Sequence, residues 1–349
     1  MTTGLLLGKF APLTTGHEYA VRQAALQVDA LYVVLCYDQK FNDMQSERMS
    51  LVLSERNRYL WLRETFKDNK KVHVIVVDES KIAPYPEGGA DFTKLVRAKL
   101  QDIQMEDAID LVFSSEPTYD EYFTAYFPEA RHVVIDADRE NIPISATAVR
   151  NDIYGKWEYL ADAAKKDFTK SVVVIGCEST GKSTLVKNLA EYFDTVSVPE
   201  VGRTICEERF FSQEKYMSEQ DYVMIAYEHK LAEKRAQRTG KKFVLSDTNN
   251  LITEFSALCM GLESDTLKML SARESYDLVL YLDIDVPWVA DGLRQNGSPD
   301  KRKMTNQMLL DLCKERRVKN IVCIDGTFEK RFKKTVNAIE KIMEQNDEE

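Results

Sequence analysis

At 349 residues the chain exceeds one ordinary core, and two domains are expected. Hydrophobic residues at 44% and charged residues at 30% exclude a disordered or collagen-like chain. With 47 Lys and Arg against 57 Asp and Glu, the net charge of −10 has the wrong sign for dedicated nucleic-acid binding, so no nucleic-acid partner is expected.

Through the first half, short apolar runs predict strands over 4–10, 31–37, 72–78, 110–114 and 132–136. Amphipathic stretches predict helices over 16–27, 46–66, 91–103 and 119–127. Residues 154–170 read as a polar, partly helical connector, which divides the chain into domains 1–166 and 167–349. The alternation resumes with strands at 171–175, 242–247, 277–285 and 320–324. The matching helices are predicted over 182–193, 218–237, 249–260 and 328–345. Strands alternating with helices predict two α/β domains, each a mainly parallel sheet with helices on both faces. Ligands in such sheets bind beyond the carboxyl ends of the strands, and the motifs below follow strands.

The six cysteines form no C-x-x-C pair and no zinc-like grouping with the four histidines, which predicts free thiols in a reducing compartment. No apolar run reaches the ~18 residues of a membrane span, and the start lacks the pattern of a signal peptide. A cytoplasmic protein without membrane insertion is expected.

The segment GCESTGKS, from Gly176 to Ser183, fits G-x-x-x-x-G-K-S/T at every fixed position. It follows the β-branched run Val172–Ile175 and precedes Leu185, Leu189 and Phe193 at helical spacing. Strand, loop and helix are what a phosphate-binding loop needs. Glycines let backbone N–H groups turn inward around phosphate oxygens, and the helix N-terminus adds partial positive charge. Gly176, Ser179, Thr180, Gly181, Lys182, Ser183 and Thr184 are the candidate ATP contacts. Lys182 is suited to the β- and γ-phosphates and Ser183 to Mg2+. FVLSD ends a second apolar strand at Asp247, a candidate either for a Mg2+-bound water or for the proton of an attacking hydroxyl. Residues 291–303 read as a basic lid whose Arg294 would meet the transferring phosphate. Glu200, Arg203 and Trp288 are weaker substrate candidates.

In the first half, GKFAPLTTGH places Gly8, Lys9, Phe10, Thr14 and His17 between a strand and a helix start. Far downstream, ISATAVR sets Ser145 and Thr147 at another helix start, with Arg150 one turn further on. Hydroxyls, free N–H groups and a guanidinium there make a second anion site.

The pairing of TTGH with SATAVR resembles the nucleotidyltransferase superfamily of H/T-x-G-H and S-x-T-x-x-R enzymes. With GCESTGKS, SDTNN and PWVADGLRQNG in the same chain, the sequence is similar to the NadR-type family of bifunctional nicotinamide-nucleotide adenylyltransferases and ribosylnicotinamide kinases. The resemblance implies ATP with Mg2+ as co-substrate at both sites, ribosylnicotinamide and nicotinamide mononucleotide as substrates, and NAD as product. It also implies that Thr14, His17, Ser145, Thr147 and Arg150 grip ATP for adenylyl transfer, with His17 stabilising the transferring phosphoryl group. Lys9 belongs to the same loop, and Ser115 and Glu116 lie near that nucleotide. His17, Lys182, Asp247 and Arg294 are the implied catalytic set. Thr14 stands where many members carry a second histidine. A first strand starting near residue 4 leaves no room for the helix-turn-helix of some members, so repression is not expected. A homo-oligomer stays open. The alternatives are a nucleotide- or NAD-sensing regulatory protein with one weak site, and a kinase fused to a transferase for another phosphorylated acceptor.

Overall fold

The computed structural model describes residues 1–105, 108–287 and 298–344. The chain forms two compact units that divide after Phe168.

In the first unit, β1 (Thr3–Gly8), β2 (Ala30–Tyr37), β3 (Val72–Asp78), β4 (Leu111–Ser114) and β5 (Arg131–Val134) form one parallel sheet in the order β3-β2-β1-β4-β5. Leu5, Val34, Ile75 and Val112 meet helix residues Val96, Leu100 and Phe123 in one buried layer, as alternation along a pleated strand requires. The order reverses beside β1, which opens a crevice beyond the ends of β1 and β4.

The stretch read as a connector packs into this unit. Its helix Asp162–Phe168 is fastened by Trp61 Nε1, which donates to Asp167 Oδ2 at 2.7 Å, and Tyr154 OH donates to the Phe168 carbonyl at 2.9 Å.

The second unit repeats the plan with β6 (Lys170–Gly176), β7 (Val196–Val198), β8 (Phe243–Asp247), β9 (Leu278–Leu282) and β10 (Ile321–Ile324), ordered β10-β9-β6-β8-β7 and parallel throughout. Central β6 is buried on both faces. Val172 and Val174 pack with Leu185, Leu189 and Ile339, while Val173 and Ile175 pack with Phe255, Val279 and Leu309. This is why its sequence is an unbroken apolar run.

The structure corrects several expected elements. The single helix over 46–66 is two, Glu47–Val52 and Glu55–Thr65, because the Ser54 hydroxyl accepts from Asn57 N and starts a new helix. The strand expected over 277–285 stops at Leu282, since Asp283 and Asp285 turn to bind Arg331. Helices Val201–Phe210, Asp265–Ala272 and Pro299–Glu315 were not anticipated. The last places Lys301, Arg302 and Lys303 on a helix rather than in a lid; the Ser298 cap and Pro299 at its first position are its start signals. Among the described residues no helix is long and apolar enough to cross a membrane.

Candidate functional site

In the first unit the chain leaves β1 at Gly8 and re-enters helical structure at Thr15–Ala25, capped by Thr14. The cap is reciprocal. Thr14 Oγ1 accepts from His17 N at 3.3 Å, and Thr14 N donates to His17 Nδ1 at 3.2 Å. A backbone N–H can only donate, so Nδ1 is an acceptor and the neutral ring carries its proton on Nε2. Burial drives the His17 pKa down to about 4, and the charges of Arg139 and Arg150 push the same way. At neutral pH His17 is therefore an uncharged N–H donor, held edge-on against Phe10 with ring centroids 5.1 Å apart.

Ser145 caps the helix Ala146–Asn151 by accepting from Ala148 N at 3.1 Å. One turn on, Arg150 Nη2 donates to Thr147 Oγ1 at 3.0 Å, and its Nη1 donates to the Ala11 carbonyl. That contact joins the two sequence-distant motifs. Lys9 sits 4.8 Å from the centroid of Phe41, and Arg150 5.1 Å from the same ring. Glu116, just past β4, pairs with Arg139 at 3.0 Å. Ser115 lies between β4 and Glu116, but the polar link at this strand end is made by Ser114, whose Oγ is 2.8 Å from His132 Nε2.

Sequence reasoning missed Arg58 and Arg139. Arg58 is wholly buried; its Nη1 donates to the Lys9 carbonyl at 3.0 Å, and its guanidinium lies 5.0 Å from the Tyr37 centroid. Its signal was a charge on the same helical stripe as Trp61 and Leu62. Arg139 carries no local pattern.

In the second unit, Gly176 has φ +146°, and a Cβ there would stand 2.7 Å from the Leu282 carbonyl oxygen. Gly181 has φ +87° and caps the helix Lys182–Tyr192. Both positions need glycine. Between them Ser179 has φ +61°, and Thr180 Oγ1 donates to the Cys177 carbonyl at 2.9 Å. Lys182 Nζ donates to the carbonyls of Gly176 at 3.0 Å and Cys177 at 3.1 Å, so the cation lies over the loop. Ser183 and Thr184 are exposed in the first turn of the helix.

Asp247 ends β8 beside β6, in register with Val174. It is 3% exposed, and its Oδ1 has no hydrogen-bond partner. A dry carboxylate oxygen without a donor is costly, and a cation or a donor carried by a ligand relieves it. Glu200 stands just before the helix Val201–Phe210, and its side chain makes no capping bond there. Burial raises its pKa, Lys182 lowers it and Asp247 raises it, which places all three groups in one electrostatic neighbourhood. Arg203 turns to Glu207 at 2.9 Å. Arg294 and Trp288 lie outside the described residues. A cleft of about 280 Å³ opens beside the loop between Ser179–Gly181 and Val286, Pro287 and Phe328.

Two candidate phosphate sites of different construction thus stand at the carboxyl ends of two parallel sheets, which is the layout of a nucleotidyltransferase joined to a P-loop kinase. A cytidylyltransferase-like family model matches residues 5–152, and an AAA-domain model matches residues 171–331. The trifunctional NAD biosynthesis/regulator protein NadR of Salmonella typhimurium is 30% identical over 347 residues, covering 97% of this chain and 83% of that protein. Its Escherichia coli counterpart is 30% identical over 349 residues, covering 98% and 83%. The fold is shared with a NadR protein crystallised with NR (TM-score 0.81, 22% identity, 99% and 96% of the two chains) and with one crystallised with NAD and AMP-PNP (0.80, 23%, 98% and 96%). The chain belongs to the NadR family.

Proposed function

We propose that the protein makes NAD from ribosylnicotinamide in two steps, one in each unit. The second unit transfers the γ-phosphoryl group of ATP to the ribose 5′-hydroxyl, giving nicotinamide mononucleotide and ADP. The first unit lets the new phosphate attack the α-phosphorus of another ATP; the Pα–O bond to pyrophosphate breaks as the bond to the mononucleotide forms, giving NAD. One observation carries the reading. A complete phosphate loop and a His17–Arg150 anion site stand in one chain of a family whose relatives are named for NAD biosynthesis.

Both steps are in-line displacements in which positioning and fixed charge dominate. In the transferase, the Nε2–H of neutral His17 donates to a phosphate oxygen, and Arg150 and the free N–H groups behind Ser145 hold the rest of the triphosphate. In the kinase, Lys182 exchanges two loop carbonyls for phosphate oxygens. Asp247 and Ser183 are the residues to hold Mg2+, and the orphaned Oδ1 fits that assignment. Bound with ATP, Mg2+ neutralises charge on the phosphate oxygens. Glu200 is placed to receive the acceptor side. We assign the transferase to the unit ending at Phe168 and the kinase to the unit starting at Thr169. Free thiols at all six cysteines suit the cytoplasm, where ATP is supplied.

The test feeds ribosylnicotinamide, Mg2+ and ATP to the pure protein and resolves the products over time. Mononucleotide should rise first and NAD follow, with one ADP and one pyrophosphate per NAD. Mononucleotide that accumulates without NAD contradicts the transferase assignment, and no phosphorylation at all contradicts the kinase assignment.

A further inference from the structure

Helix Phe328–Glu344 begins beside the phosphate loop and carries a charge on its buried stripe, in line with Thr335, Val336 and Ile339. That residue, Arg331, is 3% exposed and donates from every guanidinium nitrogen. Nε reaches the Gly326 carbonyl at 2.9 Å, Nη1 the Thr180 carbonyl at 2.8 Å, and Nη2 the Asp283 carbonyl at 2.8 Å; Nη2 also meets Asp285 Oδ1. Asp285 Oδ2 in turn accepts from Gly326 N at 2.6 Å. One guanidinium therefore ties the phosphate loop to the turn after β9 and the turn after β10. Those turns lead to Val286, Pro287 and Phe328, which wall the neighbouring cleft together with Arg331 itself.

The contact to Thr180 has a directional consequence. The peptide between Thr180 and Gly181 is planar and trans, so its C=O and N–H point in opposite directions. Pinning the oxygen on Arg331 aims the Gly181 N–H to the other side of the loop. A cationic donor on the oxygen also polarises the amide and strengthens that N–H as a donor. Lys182 holds the carbonyls of Gly176 and Cys177 and must leave them to reach a phosphate, whereas Arg331 commits four of its five N–H groups to acceptors built into the fold and stays.

We infer that Arg331 is a positioning residue of the kinase site: it sets the Gly181 N–H for the triphosphate of ATP and holds the loop at a fixed distance from the wall of the adjoining cleft. It acts through the loop and not on the acceptor, so its removal weakens the grip on phosphate and spares the acceptor. The inference rests on reading the second unit as an ATP site but not on the identity of the acceptor.

The experiment titrates the full-length protein with a non-hydrolysable ATP analogue and, separately, with tripolyphosphate and adenosine. The site abolished by Lys182→Ala is the one followed. Arg331→Met should weaken the analogue and tripolyphosphate about tenfold or more at that site and leave adenosine within about twofold. The site in the first unit should be unchanged. In turnover, KM for ATP should rise while KM for ribosylnicotinamide holds. Unchanged tripolyphosphate affinity overturns the inference. So does an equal loss of tripolyphosphate and adenosine, because that is what a merely slackened fold would produce. If Arg331→Met does not fold, Arg331→Lys keeps the charge but gathers its donors on one nitrogen, which cannot span the three segments; it should still lose several-fold for tripolyphosphate, and full affinity in that variant also overturns the inference. If no site responds to Lys182→Ala, the failure belongs to the reading of an ATP site in the second unit and not to Arg331.

Discussion

The two phosphate cradles contrast in how they are assembled. In the second unit a single continuous loop, Gly176 to Ser183, supplies glycines, lysine and hydroxyl between one strand and one helix. In the first unit the grip is divided between Thr14–His17 at one end of the fold's sequence and Ser145–Arg150 at the other. They are brought together by Arg150 donating to the Ala11 carbonyl. The donors differ as well. Lys182 is a mobile point charge resting on carbonyls it can leave, whereas His17 is a neutral donor whose tautomer is fixed by the cap that holds it. A cradle made of one loop depends on the backbone angles of a few residues. One made of two helix starts depends on the tertiary fold that joins them.

The largest effects should separate the two units. Lys182→Ala should slow phosphorylation of ribosylnicotinamide by on the order of 10²-fold or more and leave adenylyl transfer within about twofold, measured by assaying each half-reaction with its own substrate. His17→Ala should do the reverse, by on the order of 10²-fold, through loss of one preorganised donor. A loss of both activities from either change, in a chain that still melts cooperatively, breaks the separation.

Next in size is a pH effect confined to the second unit. Glu274 is buried beside Glu233 and 3.8 Å from Lys230, and burial raises its carboxyl to about 7 from an ordinary 4.5. The folded state then binds this proton more tightly than the unfolded state. Its contribution to stability is full below about pH 4.5 and is lost as the pH rises to about 7. Glu274→Gln should therefore stabilise the protein at pH 8, by on the order of 1–3 kcal/mol, and change little at pH 5. Thermal melts at the two pH values check this; equal shifts at both would contradict it.

The smallest effect sharpens the contrast in the first unit. Ser145→Ala removes one cap from a short helix and should cost about 1 kcal/mol in denaturant melts. Because that helix also presents Arg150, KM for ATP in adenylyl transfer should rise as well, with the kinase untouched. A stability loss with unchanged KM would make Ser145 a cap and nothing more.

The same contrast explains what was legible in the sequence. Each strand of both sheets except β7 was expected within a few residues, because central β6 is a dense buried apolar run and even the exposed edge strands β5 and β10 keep short β-branched stretches. Three-residue β7 is too short for periodicity to register. The phosphate loop was readable because its chemistry is local. The first unit's site was recognised only by pairing two distant segments through a family resemblance, and no spacing rule connects Ala11 to Arg150. Arg58 and Arg331 stayed hidden for a related reason: each is a charge on an apolar helical stripe, and it reaches backbone carbonyls of distant segments that no side-chain pattern reveals. Of residues 291–303, read as a basic lid, 299–303 open the Pro299–Glu315 helix and 291–297 lie outside the described residues; the basic run outweighed the Ser298–Pro299 start signal.

The central claim is that two independent ATP sites in one chain perform consecutive steps. Its most direct test mixes the Lys182→Ala and His17→Ala proteins with ribosylnicotinamide, Mg2+ and ATP. Each variant keeps the half that the other lacks, so the mixture should form NAD although neither variant alone does so at a comparable rate. A mixture that forms no NAD, because either folded variant has lost both reactions, would contradict the account.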